Sequence, residues 1–236
     1  MSIFLAEFFS TAILILLGNG VVANVVLSKT KGHDSGLIVI AFGWAIAVFT
    51  GVYMSASYSG AHLNPAVSLA FAIEGRLAWN MLSTYWTAQF GGAMVGQLLV
   101  WLSYRNHYDE TQDALTIRAS FCTSPAIRSL YQNFLSEVIA TFVLMAGIFF
   151  IASPSQTLGA LDALPVALLV LGIGLSLGGP TGYAINPARD LGPRFVHAFI
   201  PMINKTDSDW TYAWVPLLGP LSGAALAALF YSFVNT

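Results

Sequence analysis

The tripeptide Asn-Pro-Ala occurs twice in the sequence, and its residue types suit the start of a helix that can donate hydrogen bonds. It lies in SGAHLNPAVSLA, residues 59–70, and again in TGYAINPARDLG, residues 181–192. Asparagine is a favoured N-cap, and proline is favoured at the first helical position. Each asparagine amide can also donate an N–H to the oxygen of a small polar molecule. The residues concerned are Asn64, Pro65, Ala66, Asn186, Pro187 and Ala188.

The composition of the chain excludes an ordinary soluble domain. Of its 236 residues, 56% are hydrophobic and only 8% are charged, whereas soluble domains carry about 25% charged residues. We therefore expect a membrane protein in contact with the lipid bilayer. The net charge of −2 and the absence of a basic cluster exclude a nucleic-acid partner. The single cysteine, Cys122, cannot form an internal disulfide, and without metal-ligand spacing we expect no metal and no cofactor.

Six segments are long and apolar enough to cross a bilayer, whose hydrocarbon core needs about 20 residues of helix. They lie at 3–27, 36–57, 80–104, 130–152, 161–178 and 211–234. Two further apolar patches, at 65–73 and 187–200, follow the two asparagines and are too short to span. The first segment lacks the basic region and cleavage site of a signal peptide, so it is predicted to be retained.

The two halves of the chain repeat each other. AEFFSTAILIL near the start resembles SEVIATFVLMA later on, which puts Glu7 and Glu137 at matching positions. The third segment of each half carries glycines four apart, Gly92 with Gly96 and Gly219 with Gly223, a spacing that lets helices approach closely. Because each half has three spans, the second half must be inverted in the membrane. We predict one channel domain, with repeats at about 1–104 and 130–236 joined by a loop at 105–129.

The two short helices are predicted to enter from opposite faces and meet at mid-depth through their N-termini. The irregular runs before them, 59–63 and 181–185, can lie in the membrane only where protein buries them or they line a water-filled cavity. Each N-terminus carries the equivalent of roughly half a positive charge. Such a site repels protons and metal cations, and it accepts a neutral molecule with oxygen lone pairs.

SGAHLNPAVSLA and TGYAINPARDLGPR resemble the signatures of the aquaporin family, in its aquaglyceroporin branch, and the resemblance covers nearly the whole chain. It implies an all-α membrane protein with six transmembrane helices and two re-entrant half-helices. It also implies a multi-pass protein of the cell membrane with both termini in the cytoplasm, and a homotetramer in which each subunit holds its own pore. The implied solutes are glycerol and similar small neutral molecules, with some water, while ions and protons are excluded.

The resemblance also implies a selectivity filter made of Trp44, Gly174, Tyr183 and Arg189. In that interpretation the glycine opens space, the two aromatic rings form an apolar corner, and the arginine donates to passing oxygens. Tyr183 departs from the more familiar phenylalanine. Asp190 is expected to shape the loop without touching solute, and a structural ion pair between Arg189 and Asp190 is the alternative role for that arginine.

Three further polar residues fall within the membrane segments or beside the short helices. Intramembrane carboxylates are rare and need a role. We expect Glu7 and Glu137 to accept hydrogen bonds from the backbone N–H groups of the two irregular runs, and the alternative is a proton relay. His62 precedes Asn64 by two residues, and it either lines the inner vestibule or satisfies the loop.

Two other functional classes are open to a chain of this kind. A secondary active transporter of a small polar solute also has inverted repeats, but it normally needs mid-membrane carboxylates as a coupling-ion site. An intramembrane hydrolase needs a nucleophile with a matched base, and the sequence contains no such motif. We therefore expect a passive channel and no enzyme activity. The expected orientation conflicts with the positive-inside rule, because only Arg76 of the nine Lys and Arg residues falls in a cytoplasmic loop.

Overall fold

The computed structural model describes residues 1–151 and 159–235 of the chain. In both halves of this part, the regular secondary structure is helical. Residue 152, the last of the predicted span at 130–152, therefore lies outside the described part. So do residues 153–158 and 236, which belong to the predicted second repeat. The α-helices are α1 Ile3–Val26, α2 Leu37–Ser59, α3 Pro65–Ile73, α4 Leu82–Ser103, α5 Arg105–Glu110, α6 Ala114–Ala119, α7 Leu130–Phe150, α8 Leu164–Leu177, α9 Pro187–Phe199 and α10 Trp214–Val234. Short 3-10 turns, Trp79–Met81 and Gly159–Ala163, precede α4 and α8.

Four of these helices, α1, α2, α7 and α10, have the length and apolar composition needed to cross a membrane. The other two predicted spans differ from them for identifiable reasons. Helix α4 has 22 residues but buries the polar side chains of Gln89 and Gln97. Helix α8 has 14 residues, which is about 21 Å of helix, and it continues from the preceding 3-10 turn. The six predicted spans thus correspond to four strongly apolar helices, one more polar helix and one short helix.

Glycines bring two pairs of helices into backbone contact, one pair in each half. A methyl group at Gly92 or Gly96 of α4 would lie 2.2 Å from Phe8 O and 2.3 Å from Ala12 O of α1. In the second half, a methyl group at Gly223 of α10 would lie 2.3 Å from Val138 O of α7. Because a carbon atom does not fit at such distances, only glycine allows these two close crossings.

The two half-helices are held by the long helices of the opposite half. Helix α3 packs against α10, and helix α9 packs against α4. Each half-helix also contacts the last long helix of its own half. Because each half-helix packs against helices of both halves, the N-termini of α3 and α9 lie inside the bundle and meet there.

The connection between the halves carries more structure than the predicted loop at 105–129. It contains the short helices α5 and α6, of which α5 contacts α4 and α6 contacts α1. Tyr108, Ile117 and Phe121 of this connection are fully buried in one cluster with Ala23 and Leu27. The connection is therefore part of the core at this end of the bundle.

Candidate functional site

The two Asn-Pro-Ala sequences begin α3 and α9 with nearly identical caps. Asn64 has φ −157° and ψ 120°, and its side-chain oxygen accepts the N–H of Ala66 at 2.9 Å. Asn186 has φ −156° and ψ 109°, and its oxygen accepts the N–H groups of Ala188 at 3.0 Å and Arg189 at 3.2 Å. Pro65 and Pro187 occupy the first helical positions, where no N–H is needed.

The side-chain amide of each asparagine reaches across to the other half. Asn64 Nδ2 donates to Ile185 O at 2.8 Å, and Asn186 Nδ2 donates to Leu63 O at 2.9 Å. These reciprocal bonds hold the two helix tips together at the centre of the bundle. Since an amide nitrogen carries two N–H groups, each asparagine retains one further donor.

The runs before the two caps adopt the same strained backbone. Ala61 and Leu63 have φ of 54° and 52°, and Tyr183 and Ile185 have φ of 39° and 44°. Non-glycine residues rarely adopt positive φ, and such strain persists only where surrounding structure enforces it. The positive φ angles at these matching positions are therefore imposed by the surrounding structure in both runs.

Glu7 and Glu137 supply that enforcement through hydrogen bonds to the strained backbone. Glu7 accepts the N–H groups of His62 at 3.0 Å and Leu63 at 2.7 Å. Glu137 accepts those of Ala184 and Ile185, both at 2.9 Å. Both carboxylates are buried, and each also accepts a hydroxyl hydrogen, from Ser59 at 2.5 Å and from Thr181 at 2.6 Å.

A cavity of about 150 Å³ runs along the meeting point of the two tips. Both strained runs and both asparagines border it, together with apolar side chains of α1, α2, α7 and α8. Among the described residues of its wall there is no Asp, Glu or Lys, and the titratable cationic groups are His62 and Arg189. The wall includes Leu14, Trp44, Val48, Val52, Val67, Phe71, Leu144, Ile148, Val170 and Tyr183.

Arg189 borders this cavity beside Trp44. The side chain is buried, and its Cζ atom is 4.5 Å from the centroid of the Trp44 ring, which is a cation–π distance. Its guanidinium donates no hydrogen bond to any residue in the ranges 1–151 and 159–235. Its N–H groups are therefore free to donate to an oxygen in the cavity.

Gly174 is not among the residues that border the cavity, and it lies directly behind the Tyr183 ring. A methyl group at Gly174 would lie 3.0 Å from Tyr183 Cζ and 3.1 Å from Tyr183 Oη. The Tyr183 ring therefore fills the space that the missing side chain leaves. The Tyr183 hydroxyl is buried and has no hydrogen-bond partner in the part of the chain that the structure describes.

Asp190 is fully buried and pairs with Arg194, so the expected alternative of an ion pair with Arg189 is wrong. The Arg194 Nε to Asp190 Oδ1 distance is 2.8 Å, and both side chains are inaccessible to solvent. Asp190 Oδ2 also accepts the N–H and the hydroxyl of Thr123, at 2.8 Å and 2.7 Å. Arg194 donates in addition to backbone carbonyls of Thr123, Ser208 and Asp209. We call Asp190, Arg194 and Thr123 the outer network.

Sequence reasoning missed the place of Arg194, which it counted only as one of the Lys and Arg residues outside the cytoplasmic loops. The spacing of four between Asp190 and Arg194 on one short helix is the signal that could have paired them. Arg118 is also largely buried, with its side chain 11% exposed. The conflict with the positive-inside rule is therefore smaller than the residue count implies.

His62 borders the cavity and also satisfies its own loop. Its Nδ1 lies 3.1 Å from Ser68 Oγ, and its ring packs against Phe71 and Tyr85. Ser68 is fully buried and is held by Gln89 as well. Because this serine is inaccessible and no carboxylate orients the histidine in the described part of the chain, the pair lacks the arrangement of a nucleophile and base.

Comparison with known proteins decides the family. The model of the family described as Major intrinsic protein matches residues 1–231. The chain belongs to the major intrinsic protein family. It is 53% identical over 226 residues to a glycerol uptake facilitator protein of Streptococcus pneumoniae, with 96% of each chain covered. It is 52% identical over 228 residues to glycerol uptake facilitator protein 3 of Lactiplantibacillus plantarum, with 97% of this chain and 95% of the relative covered.

Comparison with a solved structure agrees with this assignment to the major intrinsic protein family. The X-ray structure of the aquaglyceroporin from Plasmodium falciparum matches with a TM-score of 0.87 and 32% identity, covering 98% of this chain and 95% of that chain. The predicted all-α, aquaporin-like membrane fold is confirmed. The relatives are facilitators and a channel, not enzymes, so the prediction of a channel without enzyme activity is confirmed as well.

Proposed function

We propose that the chain is a passive channel through which glycerol, other small neutral solutes and some water diffuse across the cell membrane, while ions and protons are excluded. The pair of reciprocal bonds between Asn64, Asn186 and the opposite pre-helix carbonyls supports this proposal most strongly. These bonds hold two helix N-termini together on a shared cavity. The glycerol uptake facilitators among the relatives support glycerol as the solute.

The electrostatics of the site favour neutral solutes. Each helix N-terminus contributes the equivalent of about half a positive charge, and Arg189 adds a full one. No acidic side chain stands among the described residues of the wall to attract a cation. A proton or metal ion therefore meets a positive potential, whereas a polyol meets free N–H donors.

Glu7 and Glu137 do not supply the coupling-ion site that a secondary active transporter needs. All four carboxylate oxygens accept hydrogen bonds from the protein, and the side chains are at most 1% exposed. We propose that they act as loop supports. This use of both carboxylates also argues against a proton relay.

We propose that Trp44, Tyr183 and Arg189 form the selectivity filter, with Gly174 behind the Tyr183 ring. A polyol has an edge of hydroxyl groups and an edge of C–H groups. The free N–H groups of Arg189 match the first edge, and the two aromatic rings match the second. Asp190 supports the filter from outside the cavity through the outer network.

The chain is further proposed to assemble as a homotetramer with one pore in each subunit and both termini in the cytoplasm. The support is the resemblance to the aquaporin family together with large apolar side chains exposed on the outer faces of α2 and α10. Native mass spectrometry in a mild detergent tests the assembly. Labelling of single cysteines placed at Ser2 and Asn235 in inside-out vesicles, with Cys122 replaced by alanine, tests the orientation.

Stopped-flow light scattering of proteoliposomes under a glycerol gradient tests the function. We expect glycerol to enter faster than into empty liposomes, with a low activation energy and no dependence on a sodium or proton gradient. A glycerol rate equal to that of empty liposomes, with the protein shown to be inserted, would overturn the proposed solute.

A further inference from the structure

Two glycines outside the proposed filter lie directly against its aromatic rings. Gly18 belongs to α1 and faces Trp44, and Gly178 is the C-cap of α8 and faces Tyr183. Both glycines are buried, and neither borders the cavity. Neither has a positive φ, so an alanine is compatible with the backbone angle at both positions.

Gly18 leaves room for the indole ring of Trp44. A methyl group at Gly18 would lie 2.4 Å from Cζ3 and 2.5 Å from Cε3 and Cη2 of that ring. No other residue contributes to the three nearest atoms, so the ring itself would have to move. The Trp44 ring also borders the cavity and contacts the Arg189 guanidinium. Displacement of this ring would therefore change the width of the proposed selectivity filter, which we call the constriction.

Gly178 is similarly close to Tyr183, but there a backbone carbonyl also lies within the same distance. A methyl group there would lie 2.6 Å from Cδ1 and 3.0 Å from Cε1 of the tyrosine ring, and 2.5 Å from Gly174 O. Gly174 and Gly178 stand one helical turn apart, so the ring lies along a strip of α8 that carries no side chains. The strained φ of 39° at Tyr183 fixes where this ring leaves the backbone.

We propose that Gly18 and Gly178 are positioning residues that set the width of the constriction, because each provides the space in which one filter ring is held away from the solute path. This inference rests on the proposed function. It assigns selectivity to two residues that touch no solute. A side chain at either position moves a ring toward the cavity and discriminates against the wider solute, glycerol, more than against water.

The chain offers a matched control on the same helix. Gly20 lies in α1 two residues after Gly18, and a methyl group there would meet nothing within 4 Å. Alanine is the better helix former at both positions. Any difference between Gly18→Ala and Gly20→Ala therefore reports the contact with Trp44.

The test is the ratio of glycerol to water permeability in proteoliposomes, which does not depend on how much protein is folded and inserted. For Gly18→Ala we expect this ratio to fall about tenfold, the usual scale for one added methyl group in a fitted site. Gly20→Ala should keep the wild-type ratio. Equal ratios for Gly18→Ala and wild type would overturn the proposal for Gly18.

A double substitution keeps the test decisive if Gly18→Ala inserts poorly. Trp44→Phe shortens the ring and removes Cζ3 and Cη2, two of the three atoms that the methyl group would meet. We expect Gly18→Ala to have no further effect on insertion or on the ratio when Trp44→Phe is present. An undiminished effect of Gly18→Ala in that background would overturn the proposal, because the loss would then not pass through Trp44.

Gly178→Ala forms the second arm, with Gly172→Ala of α8 as its control, since a methyl group at Gly172 would also meet nothing within 4 Å. We expect a lower glycerol-to-water ratio for Gly178→Ala alone, and unchanged ratios for both variants would overturn this arm. Failure of the proposed function is a separate outcome, because wild-type protein would then conduct no glycerol. In that case the water rates of Gly18→Ala and Gly20→Ala are compared instead, and equal rates would overturn the inference.

Discussion

The starts of α3 and α9 have the same backbone, and the side chains beside them differ. Each residue of the second start follows its counterpart in the first by 122 positions, as Asn186 follows Asn64. The two N-caps differ by 1° in φ. Both pre-helix runs contain two non-glycine residues with positive φ, and in each run one glutamate accepts two backbone N–H groups. The inverted repeat therefore reproduces a complete helix tip.

After the asparagines, the first difference comes three residues on. The counterpart of Arg189 is Val67, and the counterpart of Asp190 is Ser68. The counterpart of Tyr183 is Ala61. Both Val67 and Arg189 border the cavity, so at this position the first tip presents an apolar side chain and the second presents a cation.

This comparison separates two tasks of the site. The shared tips present donors and positive potential to any neutral solute, and they require both halves. Of the proposed filter residues, Tyr183 and Arg189 belong to the second tip, and their counterparts in the first tip are Ala61 and Val67. The ion pair of the outer network likewise belongs to the second tip, because Asp190 and Arg194 both lie in α9.

The largest expected effect comes from Asp190→Ser, which gives the second tip the side chain of the first. It leaves Arg194 buried without a carboxylate, and we expect a loss of about 3–5 kcal/mol in the free energy of unfolding. The measurement is unfolding in mixed detergent micelles. Ser68→Ala is the control and should cost no more than about 1.5 kcal/mol. Equal losses for the two variants would show that the Asp190–Arg194 ion pair contributes no more to the free energy of unfolding than an ordinary buried hydrogen bond.

Substitution of the two supporting glutamates tests whether the halves are equivalent. Glu7→Gln and Glu137→Gln each replace an acceptor oxygen by an N–H₂ group facing backbone N–H groups. We expect each to lose about 2–3 kcal/mol of unfolding free energy, since hydrogen bonds to a charged group contribute about 1.5–3 kcal/mol. The glycerol rate should fall in both. A loss of stability in only one of the two variants would show that the two glutamates do not support their tips equally.

Arg189→Val gives the second tip the apolar side chain that Val67 gives the first. We expect the leak of potassium ions and protons to rise about tenfold, because one fixed positive charge is removed from a narrow site. Glycerol should still pass. Vesicles loaded with a pH-sensitive dye measure the leak, and Val67→Ala serves as the control. An unchanged leak would show that the helix tips alone exclude ions.

Tyr183→Phe removes a hydroxyl that is buried without a partner among the described residues. Because an unsatisfied buried hydroxyl costs about 1–3 kcal/mol, we expect unchanged or slightly higher stability. The ring stays beside Gly174, so the glycerol-to-water ratio should remain at the wild-type value. A changed ratio would show that the hydroxyl reaches the solute after all.

The smallest effect concerns the acid stability of the loop that contains Asp209. Hydrogen bonds from Arg128, at 2.7 Å and 2.9 Å, lower the pKa of the Asp209 carboxyl. A carboxyl whose pKa is lowered in the folded state stabilises it above its ordinary pKa of about 3.9, and this contribution is lost as the pH falls further. We expect less than about 1 kcal/mol, since Arg128 is exposed. Unfolding between pH 3 and 7 should show this loss in wild type and not in Arg128→Gln.

The caps and the helix lengths at the two tips could be predicted because they depend on local chemistry. Asn64-Pro65 and Asn186-Pro187 are sufficient to begin a helix wherever they stand. The hydrogen-bonding need of a buried carboxylate likewise pointed from Glu7 and Glu137 to nearby backbone. These features follow from short stretches of sequence.

The position of Gly174 behind Tyr183 could not be predicted in the same way. It depends on how α2 packs against α8 and on the strained φ of Tyr183, and both are set by distant residues. The same holds for Arg194, whose burial depends on carbonyl groups of residues 123, 208 and 209. Sequence spacing indicates that such residues are close on a helix, but it does not indicate which space they fill.

The most direct test of a passive neutral-solute pore is glycerol entry into proteoliposomes with and without an imposed proton or sodium gradient. We predict a rate proportional to the glycerol gradient, unchanged by either ion gradient, with no proton entry reported by an internal pH-sensitive dye. Accumulation of glycerol above its external concentration under an ion gradient would contradict the account.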